Sequence, residues 1–291
     1  RHTRCSRDWS SDVCSSDLLA TLSVNASGAS PLAEIHVGGD VHVSAHAGTG
    51  NSATVTLSAF SLSASGDHST ARIEIDGDYT GHAVGGSASA SIGSVSMSAS
   101  GVGALAELHV GGDVGILAEG TNGDASAGFG CSWGAEAGDG ATARIQVDGD
   151  FYARALATGA ASASISGLSA SASGDHAVAE FLIGGDLSVS AIGGTSASVS
   201  LDSFNAAAGG IQASATFSVG GSVIADASAE SGQAAASISG VSATASSTSS
   251  VATVSIGGDL RVQADTGSGS ATASMGAMVA SASGSQASAS I

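Results

Sequence analysis

A short phrase returns along this chain about every 36 residues: alternating apolar residues, a Gly-Gly-Asp or Asp-Gly-Asp corner, then alternation again. It reads Ile35-His36-Val37-Gly38-Gly39-Asp40-Val41, then Ile75-Asp76-Gly77-Asp78-Tyr79, then Leu108-His109-Val110-Gly111-Gly112-Asp113-Val114. It comes back at Val147-Asp148-Gly149-Asp150-Phe151, Ile183-Gly184-Gly185-Asp186-Leu187, Val219-Gly220-Gly221-Ser222-Val223 and Ile256-Gly257-Gly258-Asp259-Leu260. From Asp40 the corners step by 38, 35, 37, 36, 36 and 37 residues. A fixed period of this size marks a repeat architecture, in which no unit buries its apolar face alone. It also argues against an enzyme built around a single pocket.

Each repeat has two halves. The first is Ala33-Glu-Ile35-His-Val37, a corner, then Val41-His-Val43-Ser-Ala45. The second is Ala53-Thr-Val55-Thr-Leu57, a short break, then Phe60-Ser-Leu62-Ser-Ala64, closed by Ser65-Gly66-Asp67-His68. Both halves alternate with period 2, as half-buried strands do, and no helical period is present. Inward positions take Ala, Val, Ile, Leu and some Phe (Phe60, Phe181, Phe217), whereas outward positions take Ser, Thr, Glu, His and Arg. The expected fold is all-β: a parallel β-solenoid with a thin core between two facing sheets. Gly and Asp are expected at the corners because they tolerate positive φ. Asp-Gly between alternating runs is also a hairpin signal, with Val37/Val41 and Ile35/Val43 facing across the turn. Stacked antiparallel hairpins are therefore the alternative.

The coil length can be argued from charge. With one coil per repeat, corner aspartates would stack about 4.8 Å apart and repel by roughly 1 kcal/mol per pair. With coils of about 18 residues, two per repeat, that spacing doubles. On this ground two coils per repeat are expected, giving about fourteen coils and a rod of roughly 65–70 Å. One column points the other way. Glu34, Arg72, Glu107, Arg144 and Glu180 occupy equivalent positions in successive repeats, so adjacent stacking would pair opposite charges. Exposed pairs contribute little, and the column is given little weight.

The first residues stand apart. Asp8 to Leu18 matches, codon for codon, the translation of a common short-read sequencing adapter. Residues 1–18 are therefore read as an artefact, 19–32 as a lead-in, and 33–291 as the repeat array, cut at both ends from a longer gene. This removes Cys5 and Cys14 from consideration. Cys131, in Phe129-Gly-Cys131-Ser-Trp133, reads as a buried thiol beside core aromatics.

The formal net charge is −18, and the chain has no lysine. Such acidity repels nucleic acid and anionic membrane surfaces, which excludes both as partners. No stretch has the apolar density of a membrane span.

Asp76, Asp78, Asp148 and Asp150 are the best local candidates for calcium, through carboxylate and corner carbonyl oxygens. His36, His42, His46, His82 and His109 lie on outward positions, where a shared three-ligand geometry is not expected. An enzyme on such a scaffold needs carboxylates converging with Arg and aromatics in a groove. The one irregular stretch, 119–140, offers Asp124, Glu136 and Asp139 without Arg or His. Thr54 and Thr56 lack repeated partners, so a flat threonine ladder for ice binding is not expected either. No catalytic residue and no organic cofactor is assigned.

The phrases Val-Gly-Gly-Asp-Val-His-Val-Ser-Ala (37–45), Ile-Gly-Gly-Asp-Leu-Ser-Val-Ser-Ala (183–191) and Ile-Gly-Gly-Asp-Leu-Arg-Val-Gln-Ala (256–264) resemble filamentous-haemagglutinin-like bacterial exoproteins. The resemblance covers residues 33–291. It implies a β-helical stalk or adhesin, an extracellular or cell-surface location, an outer-membrane secretion partner, and surface ligands on host or neighbouring cells. High Ala and Ser content and a double repeat of 72–73 residues depart from that family. The alternative function is a calcium-stabilised secreted repeat region like those of repeats-in-toxin proteins.

Overall fold

The computed structural model describes residues 22–291 except Ser58 and Cys131, together with the strand backbones of Thr3–Cys5 and Ser16–Leu19. Most of the adapter-like stretch, and the expectation for Cys131, lie outside these residues. Three parallel sheets wind around one core. Sheet A collects the strands before each Gly-Gly-Asp corner, from Leu32–Val37 and Thr70–Ile75 to Val251–Ile256. Sheet B collects those after it, from Val41–His46 and Tyr79–Gly85 to Leu260–Thr266. Sheet C is the long face, as in Ala160–Ala172, Ser196–Ala208 and Gly232–Ala245. Leu22–Ala26 already pairs with Phe60–Ala64 in sheet C, so the stack takes in part of the lead-in.

Register settles the coil. Ile73 pairs with Ile35 on one side and Leu108 on the other, and Ala163 pairs with Val199. One coil therefore consumes a whole repeat of about 36 residues, and the expected 18-residue coils are corrected. The seven strands of sheet B rise roughly 29 Å from first to last, not the 65–70 Å of a two-coil stack. Every described pairing in the three sheets is parallel, as in Val41↔Tyr79 and Ala161↔Ala197, which removes the hairpin alternative.

The cross-section follows from side-chain size. Along sheet C the inward residues run small, large, small: Ala161, Ala163, Ile165, Leu168, Ala170, Ala172. In sheets A and B the large ones flank the corner, as in Ala143, Ile145, Val147 and then Phe151, Ala153, Ala155. A core thick in the middle and thin at both ends makes a flattened triangle, with the Gly-Gly-Asp corner opposite the centre of sheet C. It replaces the two-sheet sandwich expected from small inward residues. Aromatics fill the thick zone: Phe129 and Phe151 lie 4.5 Å apart, Trp133 and Phe151 5.0 Å, and Phe181 and Phe217 5.3 Å between ring centres. Each core side chain thus packs against its counterparts one coil above and below, giving dense burial without long side chains.

Sheet C must shift its inward phase by one residue midway, because Ile165 and Leu168 both face the core. A left-handed residue makes the shift: Gly167 (φ 70°), Ser203 (φ 63°) and Gly240 (φ 69°) stand in one column. The stretch 119–140 is regular after all. Ala125–Phe129 and Trp133–Ala137 keep register with Ser87–Ile92 and Val95–Ala99. Its departures are in turn length: the connection from Gly120 to Ala125 is two residues longer than that from Gly85 to Ala88 in the preceding coil, and near the next turn the Trp133 indole N–H donates to the Gly93 carbonyl at 3.0 Å.

Candidate functional site

The corner that the repeat advertises is a lock between coils. Oδ1 of Asp40 accepts the backbone N–H of Asp78 (3.0 Å), Asp78 that of Asp113 (2.8 Å), Asp113 that of Asp150 (2.8 Å) and Asp150 that of Asp186 (2.8 Å). Asp186 continues onto the N–H of Ser222 at 2.7 Å, and the Ser222 hydroxyl oxygen accepts from Asp259 at 3.2 Å. Each carboxylate therefore sits against an amide dipole of the next coil.

The glycines serve this contact. None of Gly38, Gly39, Gly77, Gly111, Gly112, Gly149, Gly184, Gly185, Gly220, Gly221, Gly257 or Gly258 has positive φ. A Cβ on Gly77 would instead stand 1.9 Å from Oδ1 of Asp40, and one on Gly149 2.2 Å from Oδ1 of Asp113. The first glycine of the pair clears backbone: a Cβ on Gly184 would stand 2.3 Å from the Asp148 carbonyl oxygen. The expectation that these corners need positive φ is corrected to a need for room.

Besides the column inside sheet C and glycines such as Gly50 and Gly232 at the turn between B and C, positive φ recurs at the turn between sheets C and A. His68 (φ 55°), Gly103 (φ 68°), Gly140 (φ 59°), His176 (φ 57°), Gln212 (φ 56°) and Ser249 (φ 56°) form one left-handed column. Carboxylates lock this turn too, with Asp139 accepting from the Asp175 N–H at 2.9 Å and Asp175 from the Ile211 N–H at 2.8 Å. Asp124 does the same for Ala160 at 2.8 Å, at the turn between B and C. Sequence inspection missed these acceptors, although the 36-residue step from Asp139 to Asp175 was visible. Asp124, Asp139 and the exposed Glu136 thus stand on two turns and a strand and do not converge.

The calcium candidates divide in the same way. Asp78 and Asp150 are in the corner lock. Asp76 accepts from His36 Nε2 at 2.9 Å, while Asp148 accepts from His109 Nε2 at 2.9 Å and from the Gln146 amide at 2.7 Å. The Gln146 amide, with His109, holds the Asp148 carboxyl below its usual range. Among the described residues no three His, Cys, Asp or Glu side chains are grouped to hold a metal ion.

The histidines are spread over two faces. His36 and His109 lie on sheet A, while His42, 2.9 Å from Thr80 Oγ1, lies on sheet B. His46 and His82 stack edge to face at 5.8 Å, and His82 Nε2 lies 3.4 Å from Glu119 Oε1. Burial lowers the His82 pKa despite that carboxylate.

On sheet A the charge column is stacked rung on rung. Arg72 donates from Nε (2.8 Å) and Nη2 (2.6 Å) to Glu107 Oε2, and Arg144 Nε donates to Glu180 at 2.6 Å. Glu107 is only 7% exposed, and its bond raises the Arg72 pKa further. Beyond Glu180 the column continues as Thr216 and Thr253.

No protein-family model, curated protein or solved structure matches this chain. Its own geometry has to carry the functional reading.

Proposed function

We propose that this chain is a structural or adhesive repeat segment of a large secreted or surface-anchored bacterial protein, and that it works mechanically rather than by catalysis. One observation carries the reading: the chemistry-bearing residues are spent on holding each coil to the next. The corner aspartates accept backbone N–H groups, the arginines Arg72 and Arg144 pair with Glu107 and Glu180, and Asp124 and Asp139 lock two separate turns while Glu136 stands apart on a strand. In a parallel ladder of this kind the hydrogen bonds between coils run along the solenoid axis and tie each coil to the next. The resemblance to filamentous-haemagglutinin-like exoproteins supports the same reading, with export through an outer-membrane partner and surface ligands on neighbouring or host cells.

The test is far-UV circular dichroism of the purified chain in chelator, followed by millimolar calcium. A β spectrum in chelator, unchanged by calcium, is expected, since core and amide ladders supply the cohesion. A coil spectrum that turns β only with calcium would replace this proposal with the calcium-folded alternative.

A further inference from the structure

Asn122 and Gly123 form the only Asn-Gly pair in the chain. They stand in the turn from sheet B to sheet C. The connection from Gly120 to Ala125 has four residues (121–124), against two (86 and 87) in the coil before and three (158–160) in the coil after. The surplus gathers at Asn122. On one side the Thr121 N–H donates to the Gly85 carbonyl at 2.8 Å and the Asn122 N–H to the Gly86 carbonyl at 3.2 Å. On the other, the Gly123 carbonyl accepts from the Gly159 N–H at 3.0 Å and the Asp124 carbonyl from the Ala88 N–H at 3.0 Å. Between them, among the described residues, the Asn122 carbonyl, the Gly123 N–H and the Asn122 side-chain amide have no hydrogen bond. Asn122 is also exposed.

We infer that Asn122 is a self-modifying site, which loses its amide without an enzyme. The Gly123 nitrogen attacks Asn122 Cγ and the new C–N bond closes a succinimide. The amide nitrogen leaves as ammonia, taking the proton that the Gly123 nitrogen gives up. Water then opens the imide at either carbonyl. Opening at Cγ leaves aspartate at 122, and opening at the main-chain carbon leaves isoaspartate, with one more carbon in the backbone. Cyclisation needs a nucleophile outside any hydrogen bond, a peptide group free to rotate and no Cβ on the attacking residue, and this turn supplies all three. The other pairs lack one. Asn25, Asn51 and Asn205 precede Ala26, Ser52 and Ala206, which carry a Cβ and lie in strands. Asp139 and Asp148 precede glycines, but the Gly140 N–H is bound to the Asp175 carbonyl at 2.8 Å and the Gly149 N–H to the Gly112 carbonyl at 3.1 Å. Asp76 precedes Gly77, but a carboxylate is a poorer electrophile than an amide, and this one is held by His36. The product adds a negative charge to a chain already at −18. Because the longer backbone falls in a turn, the strands on either side keep their register. This inference stands whether or not the chain is a stalk.

The test is peptide mapping by mass spectrometry of the folded chain, kept for weeks at mildly alkaline pH, beside the same chain in urea. The Asn122 peptide is expected to gain the mass of an amide-to-acid exchange and to split into aspartate and isoaspartate forms, at a rate within several-fold of that in urea. Peptides holding Asn25, Asn51 and Asn205 should keep their mass in the folded chain, and Asn122→Gln should abolish the shift. Circular dichroism that stays β throughout confirms that the loss occurs in the folded state. An Asn122 that stays intact in the folded chain while it is lost in urea, or that is lost no faster than the other three asparagines, overturns the inference.

Discussion

Two columns run the length of this solenoid a few residues apart, and they stack charge in opposite ways. In the sheet A column, Glu and Arg alternate and neutralise each other side chain to side chain. In the corner column, like stands on like: Asp40, Asp78, Asp113, Asp150 and Asp186 succeed one another. What makes the second column tolerable is that each carboxylate meets a backbone N–H of the next coil, with a glycine leaving the space it needs. A charge-assisted bond to an amide contributes about 1.5–3 kcal/mol, which exceeds the roughly 1 kcal/mol of repulsion between neighbouring rungs. Coulomb repulsion alone therefore gives the wrong coil length.

The largest expected effect separates room from charge. Gly149→Ala drives a methyl into Asp113 Oδ1 and the Gly112 backbone, and should cost about 3 kcal/mol in urea unfolding. Gly140→Ala, at the left-handed turn where a Cβ meets only ordinary contacts, should cost about 1 kcal/mol. Equal costs would dissolve the distinction between the two turns.

Arg72→Met probes the alternating column. It removes both hydrogen bonds to the nearly buried Glu107, leaving it Arg144 Nη1 at 3.8 Å, and should cost about 2 kcal/mol, while Arg72→Met with Glu107→Leu should recover most of it. Unfolding midpoints of the three variants decide the matter.

A smaller effect sharpens the role of the corner carboxylate. Asp150→Ala removes the acceptor for the Asp186 N–H and should cost about 1 kcal/mol, whereas Asp150→Asn keeps an acceptor oxygen and should stay within about 0.5 kcal/mol of wild type. An Asn variant as damaged as the Ala variant would mean that the charge itself is used, as an ion would use it.

The smallest effect concerns pH. Burial holds the His82 pKa below its unfolded value of about 6.5, beside Glu119, His46 and His42. Below about pH 6.5 the unfolded chain thus binds the extra proton first, and stability is lost as pH falls from there toward the folded pKa. Melting temperatures at pH 7 and 5.5 should show a drop that His82→Asn reduces.

Much of this was legible in the sequence. Period-2 alternation gave strands, the repeat gave a solenoid, and Phe60, Phe181 and Phe217 are buried as their phase implies. The coil length was legible too, in Glu34, Arg72, Glu107, Arg144 and Glu180, but that signal was discounted because exposed pairs are weak. Their weakness bears on energy, not on register, and the alternation itself was the information. The triangular section was written in the gradient from Ala161 to Leu168 and back to Ala172, which a simple inward/outward division discards. The two glycine roles were not legible. Gly149 and Gly140 both precede a strand, and only coordinates tell a crowded glycine without positive φ from a roomy left-handed one.

The most direct test is a distance along one column. Ser89, Ser126, Ser162, Ser198 and Ala235 are successive partners on the exposed face of sheet C. Spin labels at 89 and 235, in a chain whose Cys5, Cys14 and Cys131 are replaced by serine, report that span by pulsed electron resonance. One coil per repeat sets the labelled backbone positions four rungs apart, about 19 Å. A separation near 38 Å, eight rungs, would contradict the single coil and with it the corner lock.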